Sequence, residues 1–251
     1  MSGRAKSLAV IFALLALWEL ACSSGLWTPY VLPSPGRVIR TAIAMFNNGE
    51  LTRHVSISVS RVLTGFSISC ALALILGTLA ALHPRLDPYY RHLLEIIRHI
   101  PPMSLIPLLI LWFGIGETAK IIIIVLTSFF PVYLNTESGF AGCDAKLLEV
   151  GRSLGFGKAE LFRRIMLPAA VPSILVGMRI GLGYSWRAIV GAEMIAAASG
   201  LGYMILDAQA LSRSDKVIVG IILIGCIGFL TDKLFGFLTR LLTPRHGGAA
   251  L

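Results

Sequence analysis

The sequence predicts an all-α protein of about six membrane-spanning helices, and three features carry that expectation. Of its 251 residues 56% are hydrophobic and only 14% charged, with a mean hydropathy of +0.80, whereas a water-soluble domain carries about 25% charged residues. The apolar residues come in blocks near the roughly 20 residues a helix needs to cross a bilayer core. The basic residues collect between those blocks, as in membrane proteins whose loops fix orientation. The length suits one transmembrane domain over residues 1–251.

Taken in order, the spans fall near residues 8–26, 62–82, 100–115, 119–134, 169–198 and 217–238. The third is broken at the sequence level by Pro101, Pro102 and Pro107, each of which removes a helix hydrogen bond. Such breakers are tolerated in a membrane where neighbouring helices or a cavity satisfy the freed backbone groups. Before the second span, Leu32-Pro33-Ser34-Pro35-Gly36 reads as a turn. Val38, Ile39, Ala42, Ile43 and Phe46 then recur at helical spacing, so residues 28–61 should hold an amphipathic surface helix.

Lys and Arg set the expected orientation. With six alternating spans, Arg4 and Lys6, then Arg85, Arg91 and Arg98, then Lys146, Arg152, Lys158, Arg163 and Arg164, and finally Arg240 and Arg245 all fall on one side. Both termini are therefore expected in the cytoplasm. Lys120, Arg213 and Lys216 leave the other side sparser. Arg37, Arg40, Arg53 and Arg61 are the misfit, nominally outside.

Several function classes are disfavoured. The net charge of +9 could suit nucleic acid, but no basic run is interleaved with the aromatics a base-stacking platform needs. Cys22, Cys70, Cys143 and Cys226 form no CxxC pair, and the five histidines are scattered, so neither a disulfide framework nor a metal site is expected, nor any cofactor. Arg4, Lys6 and the following apolar block resemble a secretory signal, but further hydrophobic spans follow, and a retained first helix is the better reading. A phosphate-binding loop requires G-x-x-x-x-G-K-[ST]. The nearest approach, Gly151 to Lys158, is one residue too long and has Ala159 where the hydroxyl belongs. This chain is not expected to hydrolyse ATP.

The polar island at 139–168 reads GFAGCDAKLLEVGRSLGFGKAELFRRIMLP. Asp144 can cap a helix through Leu154, Gly155-Phe156-Gly157 supplies a turn, and Lys158 to Leu167 forms a second short helix that ends at Pro168. Leu147, Leu148, Leu154, Phe156, Leu161, Phe162 and Ile165 could fill a partner's groove, with charges at its rim. An ordinary solvated helical hairpin fits the same pattern.

This stretch resembles the EAA loop of the inner-membrane permeases of ATP-binding-cassette (ABC) importers, with Glu149, Gly155, Ile165, Leu167 and Pro168 in the family's spacing. Val150 and Gly151 stand where that pattern has two alanines. Leu32-Pro33-Ser34-Pro35, Ile100-Pro101-Pro102, Ile106-Pro107-Leu108, Trp112 to Glu117, and Ala192-Glu193-Met194-Ile195 before Gly200-Leu201-Gly202-Tyr203 are similar to the aliphatic-sulfonate, taurine and nitrate branch. The resemblance implies a type I importer permease without a cofactor, working as a homodimer with two ATPase subunits and a periplasmic or extracellular substrate-binding protein. It places the chain in the cell inner membrane and carries a small anionic cargo. The loop at 141–168 would then couple to the ATPase through Glu149, Gly155, Phe156, Leu161, Leu167 and Pro168.

Arg179 and Arg187 lie inside the fifth span, followed by Glu193. A charge at mid-helix costs about 2.5–3.5 kcal/mol on insertion scales, so each should face protein or a watery path. They are about 80° apart on one helix, close enough to share a face. One reading puts them, with Glu193, along an anion path; the other has Arg179 snorkelling or pairing within the bundle. Gly177 and Gly181, with Gly183 and Ser185 adjacent, read as close helix packing. An ion-driven secondary transporter and an intramembrane enzyme remain as alternatives, but neither inverted repeats nor a nucleophile–base cluster is visible.

Overall fold

The computed structural model describes residues 3–242, so Arg245 lies outside the described residues. Among them the chain is helical: α1 (Gly3–Ser23), α2 (Pro35–Asn47), α3 (Glu50–Leu82), α4 (Asp87–Arg98), α5 (Ile106–Phe113), α6 (Glu117–Ala141), α7 (Ala145–Ser153), α8 (Lys158–Leu161), α9 (Leu167–Ala196), α10 (Leu201–Ala210) and α11 (Ser214–Leu242). Among the described residues four helical stretches are long and apolar enough to cross a membrane: Glu50–Leu82, Glu117–Ala141, Lys158–Ala196 and Ser214–Leu241. They match the second, fourth, fifth and sixth expected spans. The first is the shorter apolar stretch Ala9–Ser23.

The third span differs from expectation. It is a bent pair, Pro84–Arg98 and Pro102–Phe113, turned by 82° at the break. Pro101 and Pro102 cannot donate backbone hydrogen bonds, so one straight helix cannot run through them. The segment before the break, read as loop from the sequence, is the helix α4.

The contacts divide the chain into two compact units. The first comprises the described part of Met1–Ser58 with Glu193–Ile227. Here the Ser34 hydroxyl caps α2 by accepting from Arg37 N, and Trp18 Nε1 donates to Pro33 O at 3.1 Å. The helix α2 is two-sided: Val38 and Met45 are buried, while Ile39, Ile43 and Phe46 form an exposed apolar stripe. Asp215 is 3% exposed and accepts from Thr41 Oγ1 at 2.8 Å and from both arms of Arg213, with Arg37 at 3.8 Å. Lys216 holds Glu50 at 2.7 Å.

The second unit comprises Val59–Ala192 with the described part of Gly228–Leu251. Its centre is α6, approached closely by glycines of α3 and α9. A Cβ on Gly65 would lie 2.7 Å from Ile124, one on Gly77 2.9 Å from Thr136, and one on Gly177 2.7 Å from Pro131 O. Gly177 and Gly181 are the packing residues the sequence suggested; Gly183 faces open space. Without a hydrophobic force between helices in lipid, this close approach supplies the van der Waals contact that holds the bundle. Buried Arg61 makes a two-armed bond to Glu117, both arms at 2.6 Å, and Lys120 joins at 2.9 Å. Arg61 and Arg37, two of the four misfit arginines, are thus tertiary ties rather than loop charges.

Candidate functional site

Asp144 begins the hairpin after α6. Its carboxylate accepts from Lys146 N at 2.9 Å, satisfying a free donor at the start of α7. The helix ends in a Schellman turn: Gly155 N donates to Arg152 O at 2.9 Å and Phe156 N to Gly151 O at 3.0 Å. Gly155 adopts φ +81°, the left-handed conformation this turn requires and glycine reaches without strain. Gly157 then caps α8, with Glu160 Oε2 accepting from Gly157 N at 3.3 Å.

The chain does not break at Pro168, contrary to the two-helix expectation. It passes from α8 through a π turn over Phe162–Met166 directly into α9, one helical run of 39 residues. A π turn shifts the hydrogen-bond register, so the missing N–H of Pro168 is absorbed there instead of ending the helix.

Packing sorts the apolar residues of the hairpin into two sets. Leu161 and Ile165 close over buried Gly151, where a Cβ would stand 2.7 and 2.6 Å from their terminal methyls. Phe162 stacks on Phe140 at 5.6 Å, and the Arg164 guanidinium lies 5.0 Å from the Phe156 ring centre. The other set faces outward: Leu147, Val150 and Leu154 are 51, 56 and 67% exposed. Their spacing of three and four puts them in one stripe along α7 and its C-cap residue Leu154, with exposed Glu149 beside it. Gly151, one of the two departures from the family's alanine pair, is what lets α7 lie against Leu161 and Ile165. Leu167 and Pro168 stand exposed at the start of α9.

Further along α9 the charged residues have separate surroundings. Arg179 makes a two-armed bond to Asp232 of α11, both arms at 2.6 Å, the bundle pairing left open by the sequence. Arg187 is exposed, its guanidinium 5.5 Å from the Tyr184 ring centre. Glu193 is fully buried and belongs to a polar knot in the first unit. Ser58 Oγ donates to it at 2.7 Å and Gly202 N at 2.9 Å, while Leu201 N donates to Ser58 Oγ at 2.9 Å and Gly200 N to His54 Nδ1 at 3.0 Å. A carboxylate at the N-terminal amides of α10 is favoured by the helix dipole. Ser58 and His54 were not singled out from sequence, since polar residues in an apolar helix carry no spacing signal for so distant a contact.

In the second unit a groove of about 640 Å³ opens between the α4–α5 break, α6 and α9, with Arg98, His99, Thr127, Asn135 and Tyr184 among its lining. The described residues hold no cluster of three or more metal-ligating side chains.

The sequence profile of the family described as "Binding-protein-dependent transport system inner membrane component" matches residues 73–245. The chain belongs to that family. This inner-membrane transport component is 40% identical over 238 residues to a putative aliphatic sulfonates transport permease protein of Bacillus subtilis, covering 95% of this chain and 86% of that one. It is 33% identical over 246 residues to a taurine transport system permease protein of Escherichia coli, covering 96 and 90%. A solved structure of the MetNI methionine ABC transporter shares its fold, with a TM-score of 0.63 at 17% identity over 76% of this chain and 97% of the other. The permease is thus a multi-pass protein of the inner membrane, of the ABC importer type and of the sulfonate, taurine and nitrate branch.

Proposed function

We propose that two copies of this permease enclose a path for a small anion, such as a sulfonate, taurine or nitrate, and that two separate ATPase subunits drive it through the hairpin at 141–168. The observation that carries this reading is the unpartnered apolar stripe Leu147, Val150 and Leu154 beside Glu149. A solvated hairpin has no need of three exposed aliphatic residues in a row, whereas an interface core is built from such a patch with a polar rim. Gly155 sets the turn, while Phe156 and Leu161 stiffen the hairpin from within. Leu167 and Pro168 pass its movement into α9 without a hinge, since the helix is continuous.

ATP binding closes the partner dimer, displaces the hairpins and switches the path between its two sides. A periplasmic binding protein delivers cargo, and both termini lie in the cytoplasm on the hairpin's side. Arg187, which has no ion pair among the described residues, is the pathway cation on α9. Arg179, held by Asp232, and Glu193, held in the polar knot, serve to fix α9 to α11 and the start of α10.

Reconstitution in proteoliposomes with the ATPase and the cargo-loaded binding protein tests this. Hydrolysis should rise several-fold on adding the loaded binding protein, with cargo accumulating only when ATP is present. Accumulation driven by an ion gradient without ATP would replace this reading with a secondary transporter.

A further inference from the structure

The groove between the α4–α5 break, α6 and α9 contains a charge that sequence reasoning put in a cytoplasmic loop. Arg98 ends α4, yet it lines the groove with Thr127 and Tyr184, from the middle of α6 (Glu117–Ala141) and α9 (Leu167–Ala196), and with Asn135 from the last third of α6. Both helices are candidate membrane spans, so Arg98 borders a groove that runs into the spanning part of the second unit. A guanidinium there is costly and persists where it faces protein or water. It makes no ion pair among the described residues.

Two further observations say what the groove is for. Its wall includes the break itself, and irregular backbone at membrane depth is tolerated only when buried in protein or lining a watery cavity. This stretch is at the surface of the groove: Arg98, His99 and Ile100 are all exposed. The groove's polar side chains are a guanidinium, an imidazole, an amide and two hydroxyls, with no carboxylate among its lining. Prolines at 101 and 102 supply no N–H, so the backbone at the break offers an anion fewer donors than an open helix N-terminus does. The side chain of Arg98 takes that part.

We infer that Arg98 is the anion-selecting residue of the path, drawing a small sulfonate- or nitrate-like anion into the groove at the α4–α5 break. This rests on the permease reading above and adds to it a cation on a different element from Arg187. A smaller cavity of about 100 Å³, lined by Asp87, Arg91, Glu95 and Glu137, shares Arg98 as a wall. Those carboxylates moderate the attraction, and a transport path needs a site strong enough to fill and weak enough to empty.

The test uses the full-length protein in membranes, with Cys22, Cys70, Cys143 and Cys226 replaced by serine and Thr127→Cys as a reporter in the groove. Its reaction rates with an anionic (sulfonatoethyl) and a cationic (trimethylammonioethyl) methanethiosulfonate are compared, and their ratio cancels any change in thiol reactivity. With Arg98 present the anionic reagent should be favoured. Arg98→Ala should lower the anionic-to-cationic ratio about tenfold, and Arg98→Lys should keep it within about threefold, the size expected for one nearby charge in a watery site. A ratio unmoved by Arg98→Ala would overturn the inference, as would a reporter that neither reagent reaches. Neither ATPase nor cargo takes part, so failure here is separate from failure of the reconstitution above.

Discussion

Leu147→Asp with Leu154→Asp is expected to abolish stable assembly with the ATPase while leaving the permease folded. Both side chains are more than half exposed, and substitutions at such positions usually shift stability by about 0.5 kcal/mol or less. In a docked state the same two side chains would be covered. Losing two buried leucines forfeits about 1.5–3 kcal/mol each, and the new carboxylates must be desolvated without partners. Affinity should fall by a factor of at least about 100, since every 1.4 kcal/mol is tenfold. Co-purification and binding titration in detergent read the loss, and the thermal midpoint of the permease alone serves as the control. Unchanged assembly would remove the stripe from the interface.

Gly200→Ala should be the most damaging single small substitution in the first unit. Gly200 has φ +115°, a conformation that side-chain-bearing residues rarely adopt at a cost of about 1–3 kcal/mol. A Cβ there would also overlap the carboxylate of buried Glu193. That carboxylate cannot easily withdraw, because Ser58 Oγ and Gly202 N both depend on it. Together the two effects should cost about 3–5 kcal/mol. Thermal unfolding of the purified protein should show a fall of many degrees, or the variant should fail to accumulate. In the Glu193→Ala background the further cost of Gly200→Ala should shrink, since the two residues touch and are coupled. Equal costs in both backgrounds would dissociate the glycine from the carboxylate.

What could be read in the sequence follows from the range of each signal. The Asp144 cap, the Gly155 turn and the small-residue step at Gly177 and Gly181 are local patterns, and the structure has each where the pattern put it. The 82° bend was half legible: the Pro101-Pro102 pair announces a break, but not the helix α4 before it nor the groove that Arg98 lines with α6 and α9. Pro168 misled because helix breaking by proline presumes α-helical register, and a π turn is not announced by composition. Val150 and Gly151 looked like departures from a motif. In three dimensions one completes the exposed stripe and the other makes room for Leu161 and Ile165. The polar knot of His54, Ser58, Glu193 and Gly200 was closed to sequence reading, since its partners are up to 146 residues apart and nothing in either stretch names the other.

Coupling of this kind requires that the hairpin lie in the cytoplasm and be gripped there by a separate ATPase. Its most direct measurement is the labelling of Leu154→Cys, with the four native cysteines replaced by serine, by a membrane-impermeant thiol reagent in vesicles of known orientation. Labelling is expected from the cytoplasmic face alone, with protection of about tenfold or more once the ATPase is bound, as for a side chain at the covered centre of an interface. Labelling from the outer face, or an equal rate with and without the ATPase, would contradict it.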